Sequence, residues 1–182
     1  RFLSTPGLSE PVLQEPLLTG EVNAVKGLEI HNDLLYAAHA TGVTVLDLNT
    51  LRVTETYHQT GPDLSYRNER INAFALTGGN IYVAHEQGIS YAPLDAELLL
   101  PGNWHTIGDS TILDASSFLE FSGATYLGTP EGVYRMDADV PVQTGPTGEV
   151  RDLQFFDGAM WAATEDGLYA TTDGITWAVA GG

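Results

Sequence analysis

Two histidines, His39 and His85, occupy the same place in a recurring pattern, because each follows a tyrosine by three residues. Imidazole nitrogens bind zinc and iron, but such sites normally contain three or four protein ligands. Threonines fill the corresponding place in two further segments, at Thr129 and Thr164. Two imidazoles on separate segments are too few for a metal site, so the sequence favours strand-end side chains that bond nearby backbone. We expect neither a metal nor any other cofactor.

Four acidic residues recur beside this place and form a second candidate set. Glu86, Glu131, Glu165 and Asp166 all fall in the turn that follows it. Carboxylates bind calcium, but the ordered series of aspartates found in a calcium loop is missing. Two interpretations stay open: charge that keeps one rim of the molecule soluble, which the sequence favours, and a docking face for a basic partner. Together with the two histidines, these acids are the residues predicted to bind a partner or ligand.

Arrangements of residues suited to catalysis are scarce. The sequence has no cysteine, and it lacks the G-x-S-x-G, P-loop and His-Glu-x-x-His motifs of nucleophilic, nucleotide-binding and zinc chemistry. The arginines are spread over different segments and predict no cluster with which a sialidase would hold a carboxylate. Acids are abundant, so a glycosidase or lyase with two carboxylates stays an alternative, but no pair stands out. No catalytic residue is predicted, and the sequence favours a protein that is not an enzyme.

A fourfold repeat positions these candidate residues. In each copy an aromatic residue precedes a glycine by six residues, an aliphatic residue follows the glycine, and a turn-forming pair precedes the aromatic residue. The four pairs are Tyr36 and Gly42, Tyr82 and Gly88, Tyr126 and Gly132, and Trp161 and Gly167. Fixed internal spacing at long intervals is typical of stacked structural repeats.

The last copy shows what one unit forms. Strands are predicted at 150–156, 160–164, 168–171 and 175–179, with Asp157-Gly158 as a tight hairpin turn because both residues tolerate positive φ. Such a unit is a four-stranded antiparallel meander of about 40 residues, the blade of a β-propeller. The predicted fold class is all-β, a propeller of four recognisable blades. A β-sandwich is the alternative, but a sandwich has no reason to repeat the six-residue spacing.

An Asn or Asp residue opens each unit in this alignment. The four are Asn23, Asn72, Asp114 and Asp152, separated by 49, 42 and 38 residues. On the innermost strands they would either line a central channel or bond the backbone of the preceding connection, as Asn and Asp do at turns. The sequence favours the second role.

The chain divides into a leader, the repeats and a short tail. Residues 1–21 contain prolines at five-residue intervals, which exclude a helix and predict an extended segment. The blades are predicted at about 22–69, 70–109, 110–147 and 148–180, followed by a tail at 181–182. Three arrangements stay open: a closed ring of four blades, half of an eight-bladed ring completed by a second copy, and a segment of a longer propeller.

Charge and composition exclude several classes of partner. The 182 residues contain 24 Asp and Glu against 7 Lys and Arg, a formal net charge of −17. Nucleic-acid binding rests largely on positive charge, and so does attachment to anionic lipid. No run of 18 apolar residues predicts a membrane span. We therefore expect no nucleic-acid partner and no membrane insertion. The acid excess with a single lysine favours an extracellular or periplasmic location.

Two stretches of the last unit resemble known propeller repeats. The run Asp157-Gly158 to Tyr169, with Trp161-Ala162-Ala163-Thr164 and Gly167-Leu168 inside it, resembles the blade motif D-x-x-G-x-x-W-x-G-T-x-x-G-L of two-component-regulator-type propellers. Residues 168–177 resemble the Asp-box turn of sialidase-like propellers, although Asp173 and Gly174 are adjacent where the box has one residue between them. The resemblance implies a propeller fold over residues 22–180, with a signalling-receptor sensor among its possible contexts.

The function predicted from these features is a non-catalytic binding or scaffold module. Its expected partner is another protein, or a further copy of the chain in an assembly, because a rigid ring presents loops on two faces. Fold alone does not assign function. Two alternatives stay open: a carbohydrate-active domain of sialidase or lyase type, and a ligand-sensing propeller of a receptor. In either case a carbohydrate or small ligand would bind at the mouth of the ring.

Overall fold

The structure is a computed structural model that describes residues 25–86, 88–107, 114–137 and 140–180. It is all-β, with sixteen strands in four antiparallel sheets whose strand order follows the chain. The predicted leader and tail, and Asn23, lie outside the described residues. The strands of the first two sheets are β1 (Val25–His31), β2 (Leu34–His39), β3 (Gly42–Asp47), β4 (Arg52–Tyr57), β5 (Ile71–Thr77), β6 (Asn80–His85), β7 (Gly88–Pro93) and β8 (His105–Ile107). Those of the last two are β9 (Ser117–Phe121), β10 (Ala124–Thr129), β11 (Gly132–Asp137), β12 (Val140–Thr147), β13 (Val150–Phe156), β14 (Ala159–Thr164), β15 (Gly167–Thr171) and β16 (Ala178–Val179).

The hairpin between the first and second strands has the same construction in every sheet. Two consecutive residues with positive φ form it, as a type I′ turn requires. The pairs are Asn32-Asp33, Gly78-Gly79, Ser122-Gly123 and Asp157-Gly158. This turn matches the right-handed twist of the strands, so the local sequence selects the antiparallel meander. The predicted hairpin at Asp157-Gly158 is confirmed.

The fourth strand of the last sheet is shorter than predicted. The sequence indicated 175–179, but only Ala178–Val179 pairs with β15. The carboxylate of Asp173 accepts hydrogen bonds from the backbone of Ile175 at 2.8 Å and of Thr176 at 2.7 Å. An Asx turn therefore takes the backbone groups that a longer strand would have used.

The proposed equivalence of the opening Asn and Asp residues is wrong. Ile71 pairs with His85, and Val150 pairs with Thr164 at the same place in its own sheet. Asn72 is therefore equivalent to Arg151, and Asp152 lies one position further along. The register is set by the apolar residues that pack between sheets, whereas the exposed polar residues beside them are free to vary.

Three apolar clusters hold neighbouring sheets together. The first joins sheets one and two around Trp104 and Val83, the second joins sheets two and three around Ile89, and the third joins sheets three and four around Leu153 and Met160. Each cluster buries one face of both sheets. A single twisted sheet could not bury both of its faces alone, so stacking is what stabilises the repeats.

The four sheets form an open series among the described residues. The innermost strands pack in order, β1 on β5, β5 on β9 and β9 on β13. A closed ring of four would also pack β13 on β1, and the described residues show no comparable contact there. The described residues thus form a propeller-like array of four blades in which the first and last innermost strands do not pack closely on each other.

Candidate binding surface

The four predicted acids lie at one end of the array. Glu86, Glu131, Glu165 and Asp166 are in the turns between the second and third strands of their sheets, where the sequence placed them. We call these four residues the acidic rim. The equivalent turn of the first sheet is linked to the second sheet by a hydrogen bond from the Ile71 backbone to the Ala40 carbonyl. Two turns of the rim itself are tied to residues 148–149, which connect the third and fourth sheets: the Gly148 backbone donates to the Glu131 carbonyl, and the Glu165 backbone donates to the Glu149 carbonyl.

Threonine hydroxyls fold two of the rim turns. Thr129 donates to the Gly132 carbonyl at 2.9 Å and accepts from the Glu131 backbone at 3.1 Å. Thr164 makes the same bonds to Gly167 and Asp166, at 2.9 and 3.2 Å. These bonds leave the acidic side chains themselves directed to solvent, and all four rim residues are exposed.

Nearby arginines offset the rim charge only weakly. Arg70 approaches Glu86 to 4.0 Å, and both side chains are largely exposed. Arg151 approaches Glu149, close to the rim, to 3.8 Å under similar exposure. Exposed pairs of this length contribute little, about 0–1 kcal/mol. The rim therefore presents hydrated carboxylates that a basic surface can approach at small desolvation cost.

His85 lies between the first two sheets and not on the rim surface. It is fully buried, and its Nε2 is 2.9 Å from Ser90 Oγ and 3.2 Å from the Thr60 carbonyl. The ring of Tyr66 packs edge-on at 5.5 Å. Burial lowers the pKa of His85 to about 4, which keeps the imidazole neutral. The imidazole therefore links β6 to the connection between the two sheets.

His39 is buried in an equivalent place on the first sheet. Its Nε2 lies 3.2 Å from Thr44 Oγ1, and the ring of His58 is 6.4 Å away. Burial, and to a smaller extent His58, lowers the pKa of His39. The two predicted histidines thus lie on separate sheets, each bonded to its own hydroxyl neighbour. Among the described residues, no group of three His, Asp or Glu side chains is placed to hold a metal ion.

A polar bond joins the second and third sheets near the innermost strands. Asn72 Nδ2 donates to Asp114 Oδ1 at 3.2 Å. Asp152, in contrast, accepts from Gln154 Nε2 at 3.2 Å on its own strand. The sequence favoured bonds from these residues to the backbone of the preceding connection, whereas these two bonds join side chains.

A cleft at the opposite end of the array was missed from the sequence. It has a volume of about 460 Å³ and lies between the first two sheets. Its lining includes His31, Asn32, Tyr36, Leu94 and Asp95. This volume falls in the range of small-ligand sites. The positive-φ hairpins at Asn32-Asp33 and Gly78-Gly79 were the available signal, because they place two loops side by side on neighbouring sheets.

This chain is similar to known proteins in its structure, but no similarity in sequence was found. No protein-family model matches it, and no curated protein matches its sequence. The extracellular domain of the putative one-component system BT4673 from B. thetaiotaomicron is 19% identical and superposes with a TM-score of 0.64, over 84% of this chain and 21% of that one. PorZ, a surface component of the type-IX secretion system of Porphyromonas gingivalis, is 16% identical with a TM-score of 0.63, over 84% and 20%.

A designed protein also matches, over nearly its whole length. The computationally designed Ika4 protein is 15% identical with a TM-score of 0.61, over 85% of this chain and 94% of that one. The chain therefore spans about a fifth of the two natural proteins and almost all of the designed one. Arrays of this size occur both as parts of long chains and as nearly complete chains. At these identities the likeness establishes the β-propeller fold that the repeats predicted.

Proposed function

We propose that this chain is a non-catalytic propeller module that binds a basic protein surface through the acidic rim. The observation that carries the proposal is the position of the rim: exposed carboxylates at one end of the array, on turns fixed by hydrogen bonds. Fixed turns reduce the ordering cost of association.

We further propose that the module works outside the cytoplasm. The support is the acid excess, together with the names of two structural neighbours, an extracellular domain and a bacterial surface component. No helix in the described part of the chain is long and apolar enough to cross a membrane. Assembly with a receptor or a secretion apparatus would be a property of a longer protein and is not assigned to this chain.

Two variants that each remove three acidic side chains, one at the rim and one at the opposite end of the array, test whether the rim is the binding surface. The first variant combines Glu131→Gln, Glu165→Gln and Asp166→Asn. The matched control combines Asp33→Asn, Asp95→Asn and Glu97→Gln, which are exposed residues near the opposite end. The probe is a labelled deca-lysine peptide, with binding followed by fluorescence anisotropy at several salt concentrations.

Both variants have the same net charge, so only the location of the lost acids differs. We expect the rim variant to weaken binding about tenfold and to lower its salt dependence, because steering acts locally. The control should change affinity less than about twofold. An equal loss of affinity in the two variants would show that peptide binding depends on net charge alone. The rim would then be rejected as the binding surface.

The cleft between the first two sheets supports a second candidate, a small polar ligand such as a carbohydrate. Tyr36 offers an aromatic wall, and Asp95 and His31 offer polar groups at the opening. A Leu94→Trp substitution should fill the cleft and abolish any binding detected with a panel of mono- and disaccharides by calorimetry. Binding that survives the substitution would place the ligand elsewhere.

A further inference from the structure

The two faces of each sheet make different contacts in the series. Side chains alternate between faces along a strand, so one face, here called the leading face, meets the preceding sheet, and the other, the trailing face, meets the following sheet. In the first sheet the leading face carries Val25, Leu28, Ile30, Leu35 and Ala37. In the fourth sheet the trailing face carries Trp161, Ala163, Leu168 and Ala170.

The leading face of the first sheet has the composition of a buried interface but is open to solvent. Val25 pairs with β2 as Ile71 pairs with β6, and Leu28 corresponds to Phe74 in the same way. Val25 is 42% exposed, whereas Ile71 is 0% exposed, and Leu28 is 59% exposed, whereas Phe74 is 8% exposed. The first sheet covers the leading face of the second sheet. No described residue covers the leading face of the first sheet in the same way.

The trailing face of the fourth sheet shows the same mismatch. Leu168 follows the repeat glycine, as Ile89 and Val133 do, yet it is 42% exposed, whereas they are 2% and 0% exposed. Ala163 is exposed as well, although Ala84, at the same place in the second sheet, is fully buried. These residues repeat an interface pattern that no following sheet completes.

The two open faces match each other in the way that neighbouring sheets of the series do. Inside the series, a small residue on the trailing face packs with the first residue of the next sheet: Ala38 and Ile71 belong to the same buried apolar cluster. Ala163 occupies the place of Ala38, and Val25 occupies the place of Ile71. The fourth sheet is therefore shaped to receive the first, yet within one chain these two sheets make no comparable contact among the described residues.

We propose that a second copy of this chain covers both open faces, so that two copies join head to tail and close a ring of eight sheets. The trailing face of each copy would pack on the leading face of the other, with Ala163 against Val25 of the second copy. A contact between unlike surfaces either closes into a ring or grows into a filament, and eight blades lie within the usual range for propellers. The contact does not use the acidic rim and does not rest on the proposed binding function.

The mass of the particle in solution gives the first test. Size-exclusion chromatography with light scattering on the full chain should give about 39 kDa, twice the 19.5 kDa of one copy. A particle of 19.5 kDa at micromolar concentration would overturn the proposal, and so would a series of growing oligomers.

Substitutions on each face give the second test. Leu28→Arg alters the leading face, and Ala163→Arg alters the trailing face. Each should weaken one contact at least about 30-fold, and because the ring contains that contact twice, each variant alone should be monomeric. Leu64→Arg is the matched control, since Leu64 is also exposed but lies in a connection between the sheets. Circular dichroism should show unchanged folding, because the replaced side chains face solvent in a single copy.

Mixing the two monomeric variants distinguishes a head-to-tail contact from any symmetric one. The mixture contains one undamaged pair of faces, the trailing face of the Leu28→Arg copy and the leading face of the Ala163→Arg copy. The other pair of faces carries both substitutions, so association rests on the intact pair alone, and a heterodimer of about 39 kDa should appear at concentrations at which neither variant alone dimerises. A wild-type dimer that both variants leave intact, or a mixture that stays monomeric, would contradict the proposal. Loss of peptide binding at the rim would leave these results unchanged.

Discussion

His85 shows why histidines at equivalent positions of two sheets, His39 and His85, do not form a shared binding site. The imidazole fills the space where the connection from the first sheet crosses the second, and its Nε2 bonds to that connection. Its Nδ1 is buried without a hydrogen-bond partner. Protonation would add a charge there with no acceptor for the new proton, so burial disfavours the charged form. The repeated histidine is thus a packing group of the blade.

We predict that His85 makes the protein less stable as the pH falls below the ordinary range of histidine. The pKa of His85 is about 4 in the folded chain, against 6.5 for the free side chain. Between these values the unfolded chain binds the extra proton, so stability is complete above about pH 6.5 and is lost as the pH falls towards 4, by up to about 3 kcal/mol. Urea unfolding at several pH values measures this loss.

The matched variants for this prediction are His85→Gln and His105→Gln. His85→Gln removes the titrating group and should flatten the dependence between pH 4 and 6.5, leaving a smaller slope from His39, whose pKa is also lowered. His105 is exposed, so His105→Gln should retain the wild-type slope. If the His85 variant retains the full slope, another group is responsible for the pH dependence.

At the scale of the element, the turn at Asp173 replaces most of a strand. Its carboxylate accepts from the backbone of Ile175 and Thr176 and from the hydroxyl of Thr171, which lies at 2.9 Å. These hydrogen bonds hold the pKa of Asp173 below its usual range. The same turn brings Trp177 to sheet three, where its indole donates to the Thr144 carbonyl at 3.0 Å. One side chain therefore sets both the local turn and a contact between sheets.

We predict that Asp173→Ala destabilises the fold by about 1–2 kcal/mol, the size of effect measured when a side chain that caps backbone N–H groups is removed. Thermal unfolding measures the change, and the intrinsic fluorescence of the three tryptophans, Trp177 among them, should change as the contact loosens. Asp157→Asn is the control, because asparagine also tolerates the positive φ of that turn. If Asp173→Ala unfolds at the wild-type temperature, the turn is held by the strands around it.

The elements that the sequence predicts well are those whose backbone conformation only a few residue types can adopt. Asp157-Gly158 and Gly132 could be identified because positive φ restricts the residue types that fit. The equivalence of Asn72 with Asp152 failed because neither residue is constrained in that way. The cleft could not be predicted, since it depends on the spacing between two sheets. The positions of the rim acids followed directly from the repeat, whereas the burial of His39 and His85 required the packing of neighbouring sheets.

At the scale of the whole molecule, the open series implies uneven stability. Sheets two and three are covered on both faces, and their central strands β6 and β10 are mostly buried. Among the described residues, sheets one and four are covered on one face only; β1 is largely exposed, and β15 has a single buried residue. Strands with few buried contacts open more easily than those in the centre. A single copy should therefore lose its order from its two ends inwards.

We predict that amide hydrogen exchange is faster in the end sheets than in the central sheets of a single copy, and that assembly of two copies removes this difference. In the Ala163→Arg variant, amides of β1 and β15 should exchange at least about tenfold faster than those of β6 and β10, which corresponds to about 1.4 kcal/mol less protection. In the wild-type chain at high concentration, β1 and β15 should slow together, because the two open faces cover each other. Mass spectrometry of deuterated peptides measures both states, with Leu64→Arg as the control that should behave like wild type. Slowing at one end alone would indicate that some other contact, and not a head-to-tail ring, covers the array.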